Sequence, residues 1–191
     1  MVTIIYVRHS QSVIRRMPVG NLLLSAGILL SGTIYGQINK LLTILNVPFL
    51  DRSAFYRIQN TYLNPVINEY WIMHQTAILS VLSTEDLKIC GDARSDSPGF
   101  SAKYTSYTLM DMDTSLILDQ QLVVVSEPGI DSSVAMEKVE PNRSLEFLQS
   151  SGLKIHTLAT DRHTGVQFLM KSNYPDIKHQ FDVWHIAKNI F

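Results

Sequence analysis

The stretch Leu153-Lys154-Ile155-His156-Thr157-Leu158-Ala159-Thr160 alternates Leu153, Ile155, Thr157 and Ala159 with Lys154, His156, Leu158 and Thr160, and it ends on Asp161. A period of two is the spacing of a β-strand. On its N-terminal side, Pro141 to Ser151 suits a helix: the proline falls in the first turn, Leu145 and Leu148 share a face, and Gly152 terminates it. On the other side a second helix carries Val166, Leu169 and Met170 on one face and closes at Asn173 and Pro175. Ile177 to Trp184 can form a further strand, and His185 to Phe191 begins a helical segment.

Upstream, the character changes at Thr84. Leu87-Lys88-Ile89-Cys90 reads as a short strand ending at Gly91-Asp92. After a loop rich in Ser, Asp, Pro and Gly, Tyr104 to Met110 reads as a second strand. Turn residues from Asp111 to Ser115 join it to a third, Leu116 to Val125, in a hairpin. The order is three strands, helix, strand, helix, strand, which is that of the ribonuclease-H-like fold. The expected class is α/β (α+β), a mixed five-stranded sheet over residues 84–191, incomplete at its C-terminus.

Residues 1–83 read as helical. Asn21 to Leu30 is apolar on most faces before Ser31 and Gly32 break it. Thr33 to Leu45 places Ile34, Ile38, Leu41, Leu42 and Leu45 at helical spacing, and Asn46, Val47 and Pro48 end that run. Asp51 or Ser53 can cap a third helix carrying Phe55, Ile58 and Leu63, and Pro65 suits the start of a fourth. Helix, short turn, helix is also the plan of a helix-turn-helix reader, with Arg52, Arg57 and Gln59 as candidate DNA contacts. A helical scaffold is the preferred reading, since the third segment is only modestly basic.

Composition bounds these readings. At 191 residues, 46% hydrophobic and 17% charged, the chain fits a globular protein with a core. Its net charge of −1 gives no global basic footprint, so contacts with nucleic acid must come from local patches. The single cysteine, Cys90, excludes a disulfide framework within the chain and makes a reducing compartment the simpler expectation. The longest apolar stretch, Val19 to Leu30, is too short to span a bilayer, which takes roughly 20 apolar residues. A secretory signal is disfavoured because Arg15 and Arg16 lie deep for an n-region. No membrane partner is expected. Without a nucleophile elbow or a Gly-rich phosphate loop, an unrelated α/β hydrolase is a poor reading.

Asp92 and Asp161 are the candidate chemistry. Two carboxylates ending neighbouring strands can converge on hard divalent cations, which prefer oxygen ligands. A pair of such ions about 4 Å apart activates a nucleophile and stabilises the leaving oxygen in phosphodiester displacement. Aspartates also cap turns, so order alone carries little weight.

The motifs around them add more. Gly91-Asp92-Ala93-Arg94-Ser95-Asp96-Ser97-Pro98-Gly99, Ser101 to Tyr104, Leu158-Ala159-Thr160-Asp161-Arg162-His163 and His179 to His185 stand in order. Together they resemble a set of animal proteins related to cut-and-paste DNA transposases. The Kolobok-like elements are the group most similar; hAT and Mutator-like transposases are more distant. The resemblance covers roughly Ser31 to Phe191 and is densest from Gly91 onward.

It implies a DDE/D triad on a ribonuclease-H-like fold, with Asp92 as first member, Asp161 as second, and Asp182 and His185 matching the family's Asp-x-x-His signature. It further implies two ions of Mg²⁺ or Mn²⁺, DNA (transposon ends) as partner, a homo-oligomer as candidate assembly, and the nucleus as location, the cytoplasm being the alternative. Asp182 and His185 would support the carboxylates, and Asp96, which competes with Asp92 for the first position, is preferred as a turn cap. Arg94, Lys103 and Arg162 are candidate phosphate contacts; for Arg94 and Lys103, solvated surface charge is an equal reading. A zinc site from His156, His163, His179 and His185 is disfavoured by their spacing.

The third acidic residue of such proteins lies well downstream, beyond Phe191. The chain is therefore expected to be a fragment of a transposase-derived protein with little activity alone. The alternative is a domesticated, non-catalytic domain that binds DNA or protein.

Overall fold

The computed structural model describes residues 12–82, 86–97, 101–130 and 132–182. Near its start, Arg15 (φ 47°) and Arg16 (φ 72°) turn the chain back on itself. They join β1 (Val13–Ile14) to β2 (Met17–Pro18) as a small antiparallel hairpin. This corrects the all-helical expectation for the N-terminal region. The sequence gives no warning, because a two-residue turn with both φ values positive normally carries Asn or Gly.

Helices follow much as their punctuation predicts. α1 (Val19–Leu30) ends at Gly32, whose φ of +69° is left-handed, and α2 (Tyr35–Ile44) ends before Asn46 at φ 54°. Asp51 caps α3 (Arg52–Ile58), its Oδ1 accepting the Ala54 amide at 2.8 Å. A π-helical turn, Gln59–Leu63, carries α3 directly into α4 (Asn64–Leu82), so Pro65 lies within a continuous helical run rather than at a fresh helix start. The chain divides into two compact units, Met1–Ile72 and Met73–Phe191. In the first, Phe55 and Ile58 are buried and the Tyr35 ring packs at a tilt against Phe55, 4.9 Å centroid to centroid. No described helix is long and apolar enough to cross a membrane.

The second unit is a mixed sheet: β3 (Asp86–Ser95), β4 (Tyr104–Asp111), β5 (Ile117–Val124), β6 (Lys154–Thr160) and β7 (Lys178–Phe181), in the order β5-β4-β3-β6-β7. β3, β4 and β5 are antiparallel, while β6 and β7 run parallel to β3. α5 (Ser133–Ser150) links β5 to β6, and α6 (Thr164–Asn173) links β6 to β7. This is the ribonuclease-H-like topology expected from the element order. One face of the sheet, with Leu87, Ile89, Leu109, Leu118 and Leu158, forms a continuous core with Leu145 and Leu148 of α5, Val166 and Met170 of α6, and Ile78, Leu79 and Leu82 of α4.

Three expectations are corrected. α5 begins at Ser133, capped by Ser132 through the Ala135 amide, so Pro141 sits inside the helix rather than in its first turn. β3 does not end at Asp92. Its parallel pairing with β6 stops at Cys90↔Ala159, but its antiparallel pairing with β4 continues through Asp92↔Thr108 to Ser95↔Thr105.

The strand β6 is itself not regular. Leu87 pairs with Ile155 but Lys88 pairs with Thr157, leaving His156 as an extra residue. This bulge breaks the alternation, so Ile155 and Leu158 both face the core. Because side-chain direction in a strand has period two, a one-residue slip sends every later side chain to the opposite face.

Candidate functional site

The bulge decides where Asp161 goes. With strict alternation it would share the helix-covered side with Leu153 and Ile155. After the slip, Ala159 lies opposite Cys90, and Asp161 follows it to the side that carries Asp92. The two aspartates then line one open cavity of about 550 Å³, together with Cys90, Thr108, Met110, Gln180 and Asp182. They also line a smaller one of about 130 Å³ on the helix side, with Gly91, Ser95, Tyr107, Thr160 and His163. The pair thus stands at the rim between two cavities.

Hydrogen bonding separates these carboxylates from the structural ones. Buried Asp119 accepts from Ser144 Oγ at 2.7 Å, Gln121 Nε2 at 2.8 Å and Gln75 Nε2 at 3.2 Å. Buried Asp111 accepts from the Thr114 amide and hydroxyl at 2.8 and 2.6 Å. By contrast, among the described residues Asp92 accepts one bond, from the adjacent Ala93 amide at 2.9 Å, and Asp161 one, from the His163 amide at 3.2 Å. An ionised carboxylate has about four acceptor sites. Most of the capacity of Asp92 and Asp161 therefore stays open to water, cations or donors on a ligand.

Asp161 is held from its backbone. Thr160 Oγ1 donates to the Asp161 carbonyl at 2.9 Å and lies 2.9 Å from His179 Nε2 on β7, which then donates to Thr160. Burial pushes the His179 imidazole below its ordinary value, with the Asp161 charge opposing. The Asp182 amide donates to the Thr160 carbonyl at 2.8 Å, which seats Asp182 at the end of β7 beside the same cavity. Burial raises the Cys90 thiol, and the Asp182, Asp111 and Asp92 charges push it the same way.

Tyr107 and Glu140 are absent from the sequence-derived set. Tyr107 is buried on β4, and its hydroxyl has no hydrogen-bond partner among the described residues. Burial, then the charges of Asp161, Asp92 and Glu140, push this phenol far above its ordinary range. Glu140 is wholly buried on α5. The available signal was Gly91: glycine inside a strand marks a close approach of another group.

The remaining candidates are spread out. Asp96 closes the β3–β4 connection, accepting the Lys103 amide at 2.9 Å and the Tyr104 amide at 3.2 Å. Arg94 is exposed in β3, opposite Ser106, and the Lys103 side chain is exposed. The Arg162 guanidinium lies 5.9 Å from the centroid of Phe181, which lines the larger cavity. Arg52 and Arg57 belong to the first unit, where Arg52 lies 5.7 Å from the Tyr56 ring centroid. His185 and Trp184 lie outside the described residues. Among the described residues no three His, Cys, Asp or Glu side chains come together closely enough to hold a metal ion.

No family model matches the chain, and no curated protein matches it. Among solved structures it is similar to the Drosophila P element transposase strand transfer complex, at 13% identity and a TM-score of 0.41. That match covers 87% of this chain and 42% of the other, so the chain spans less than half of that chain's length. The fold assignment rests on the strand order and register described above.

Proposed function

We propose that the second unit is a transposase-related domain whose Asp92 and Asp161 bind Mg²⁺ or Mn²⁺ for displacement at DNA phosphodiesters. The observation that carries this reading is their placement. A bulge at His156 brings two under-occupied carboxylates to one rim, beside a cavity that Asp182 also lines. The donor set suits the group: these are hard oxygen ligands, and Mg²⁺ commonly takes only one or two carboxylates while keeping several waters. Two such ions would supply Lewis acidity and an activated oxygen nucleophile when bound.

The chain's own residues would bind and orient. Asp92 and Asp161 hold the ions, and Thr160 and His179 fix the backbone of Asp161. Asp182 adds negative charge to the larger cavity, while Arg94, Lys103 and Arg162 are cations suited to phosphates. The ordered motifs from Gly91 onward, similar to those of Kolobok-like elements, support DNA as the substrate; the nucleus is the corresponding location.

A non-catalytic descendant that binds DNA or protein is the second reading. It is favoured by the absence of a three-ligand cluster among the described residues. Titration with Mn²⁺, followed by electron paramagnetic resonance and by thermal melting, separates the two. The metal-site reading expects saturable Mn²⁺ binding, and a Mn²⁺-dependent gain in Tm, that Asp92→Asn and Asp161→Asn abolish. Wild-type protein that neither binds Mn²⁺ nor gains stability from it would refute that reading.

A further inference from the structure

Tyr107 carries a buried donor with nothing described to receive it, although buried hydroxyls are ordinarily satisfied. Its ring is held in place by what residue 91 lacks. A Cβ on Gly91 would overlap the phenol oxygen and approach Cζ of the ring to 2.7 Å and Leu109 Cδ2 to 2.8 Å. Glycine therefore lets the phenol lie over the backbone of β3, one residue before Asp92. There it lines the cavity of about 130 Å³ shared with Ser95, Asp161 and His163.

Two features choose the acceptor. A water occupies about 30 Å³ of liquid and needs two to four polar partners, so this cavity has room for a few waters. Burial, then the charges of Asp161, Asp92 and Glu140, disfavour the phenolate, so the phenol is a donor. Asp161 and the phenol line this cavity together, with Glu140 outside its lining.

We propose that Tyr107 is a positioning residue of the Asp92–Asp161 centre, donating its O–H to a water that bridges to the Asp161 carboxylate and fixes its orientation toward the cation. This inference rests on the cation-binding reading above. The backbone link through Thr160 and His179 would set where Asp161 starts, and Tyr107 would set which way its oxygens turn.

The experiment uses the full 191-residue chain and Mn²⁺ as probe, comparing wild type, Tyr107→Phe and Asp161→Asn by spin resonance and by metal-free melting. Tyr107→Phe deletes only the oxygen, so its metal-free Tm should equal or exceed that of wild type. Its Mn²⁺ dissociation constant should rise about tenfold, within the range for removing an outer hydrogen-bond partner of a metal ligand. Unchanged Mn²⁺ affinity in Tyr107→Phe, with binding lost in Asp161→Asn, overturns the role of Tyr107 and leaves the metal site standing. Absence of Mn²⁺ binding by wild type removes the centre and this inference together.

Discussion

The two faces of the sheet are built to different ends. On one, Ile89, Leu109 and Leu158 are fully buried against α5 and α6. On the other, Cys90, Thr108, Met110 and Ala159 are only half-covered, and Leu122 of β5 stands 70% exposed. The same division separates the carboxylates. Asp111 and Asp119 are buried and occupied by donors, whereas Asp92 and Asp161, at the rim, accept one bond each among the described residues. The covered face holds the fold together, and the rim keeps polar capacity in reserve.

Truncating one leucine on each face should separate the two faces most widely. Leu158→Ala should destabilise by about 2–5 kcal/mol in urea denaturation, the range for a buried Leu→Ala change. Leu122→Ala should stay within about 0.5 kcal/mol of wild type, as surface changes do. Equal losses would mean that the exposed face is covered in solution.

Next in size is the response to metal. At a concentration one hundred times its dissociation constant, Mn²⁺ should add about 2.7 kcal/mol of stability by mass action. Asp92→Asn should abolish that gain in a thermal melt with and without the ion.

The two kinds of carboxylate should also part in metal-free protein. Asp119→Ala strands the Ser144, Gln121 and Gln75 donors and should cost about 1–3 kcal/mol. Asp161→Asn should cost no more than about 0.5 kcal/mol, since little in the fold depends on its charge. A large loss in Asp161→Asn would make it a structural residue like Asp119.

The smallest effect lies at Glu127. Its hydrogen bond from Arg143 at 2.8 Å, then one from the Val124 amide, hold its carboxyl below the usual glutamate range. A folded-state pKa below the unfolded one stabilises the protein above the unfolded value, and this contribution fades as pH falls through the folded value. Glu127→Gln should therefore lower Tm slightly at neutral pH, and the gap should close in acid.

Local chemistry was legible wherever one residue suffices to set a conformation. Gly32, Asn46 and Asp51 mark helix ends, and Gly152 at φ +82° ends α5, because left-handed backbone and side-chain caps are properties of single residues. Pro141 misled for the complementary reason: it disfavours a helix interior locally, yet α5 continues through it. Arg15 and Arg16 gave no sign of their turn.

The chain's local pattern was enough to find the five strands of the sheet, their order, and the two aspartates, although Asp92 proved to lie within its strand rather than after it. Apolar periodicity and turn residues encode those features within a few neighbours along the chain. Tertiary structure alone decided that Asp161 shares a rim with Asp92. That outcome depends on the register between β3 and β6, segments more than sixty residues apart, and on His156 being left unpaired there. It also decided that Tyr107 reaches over Gly91, since the two meet only when β3 and β4 pair. Register is a property of two strands together, and no single strand contains it.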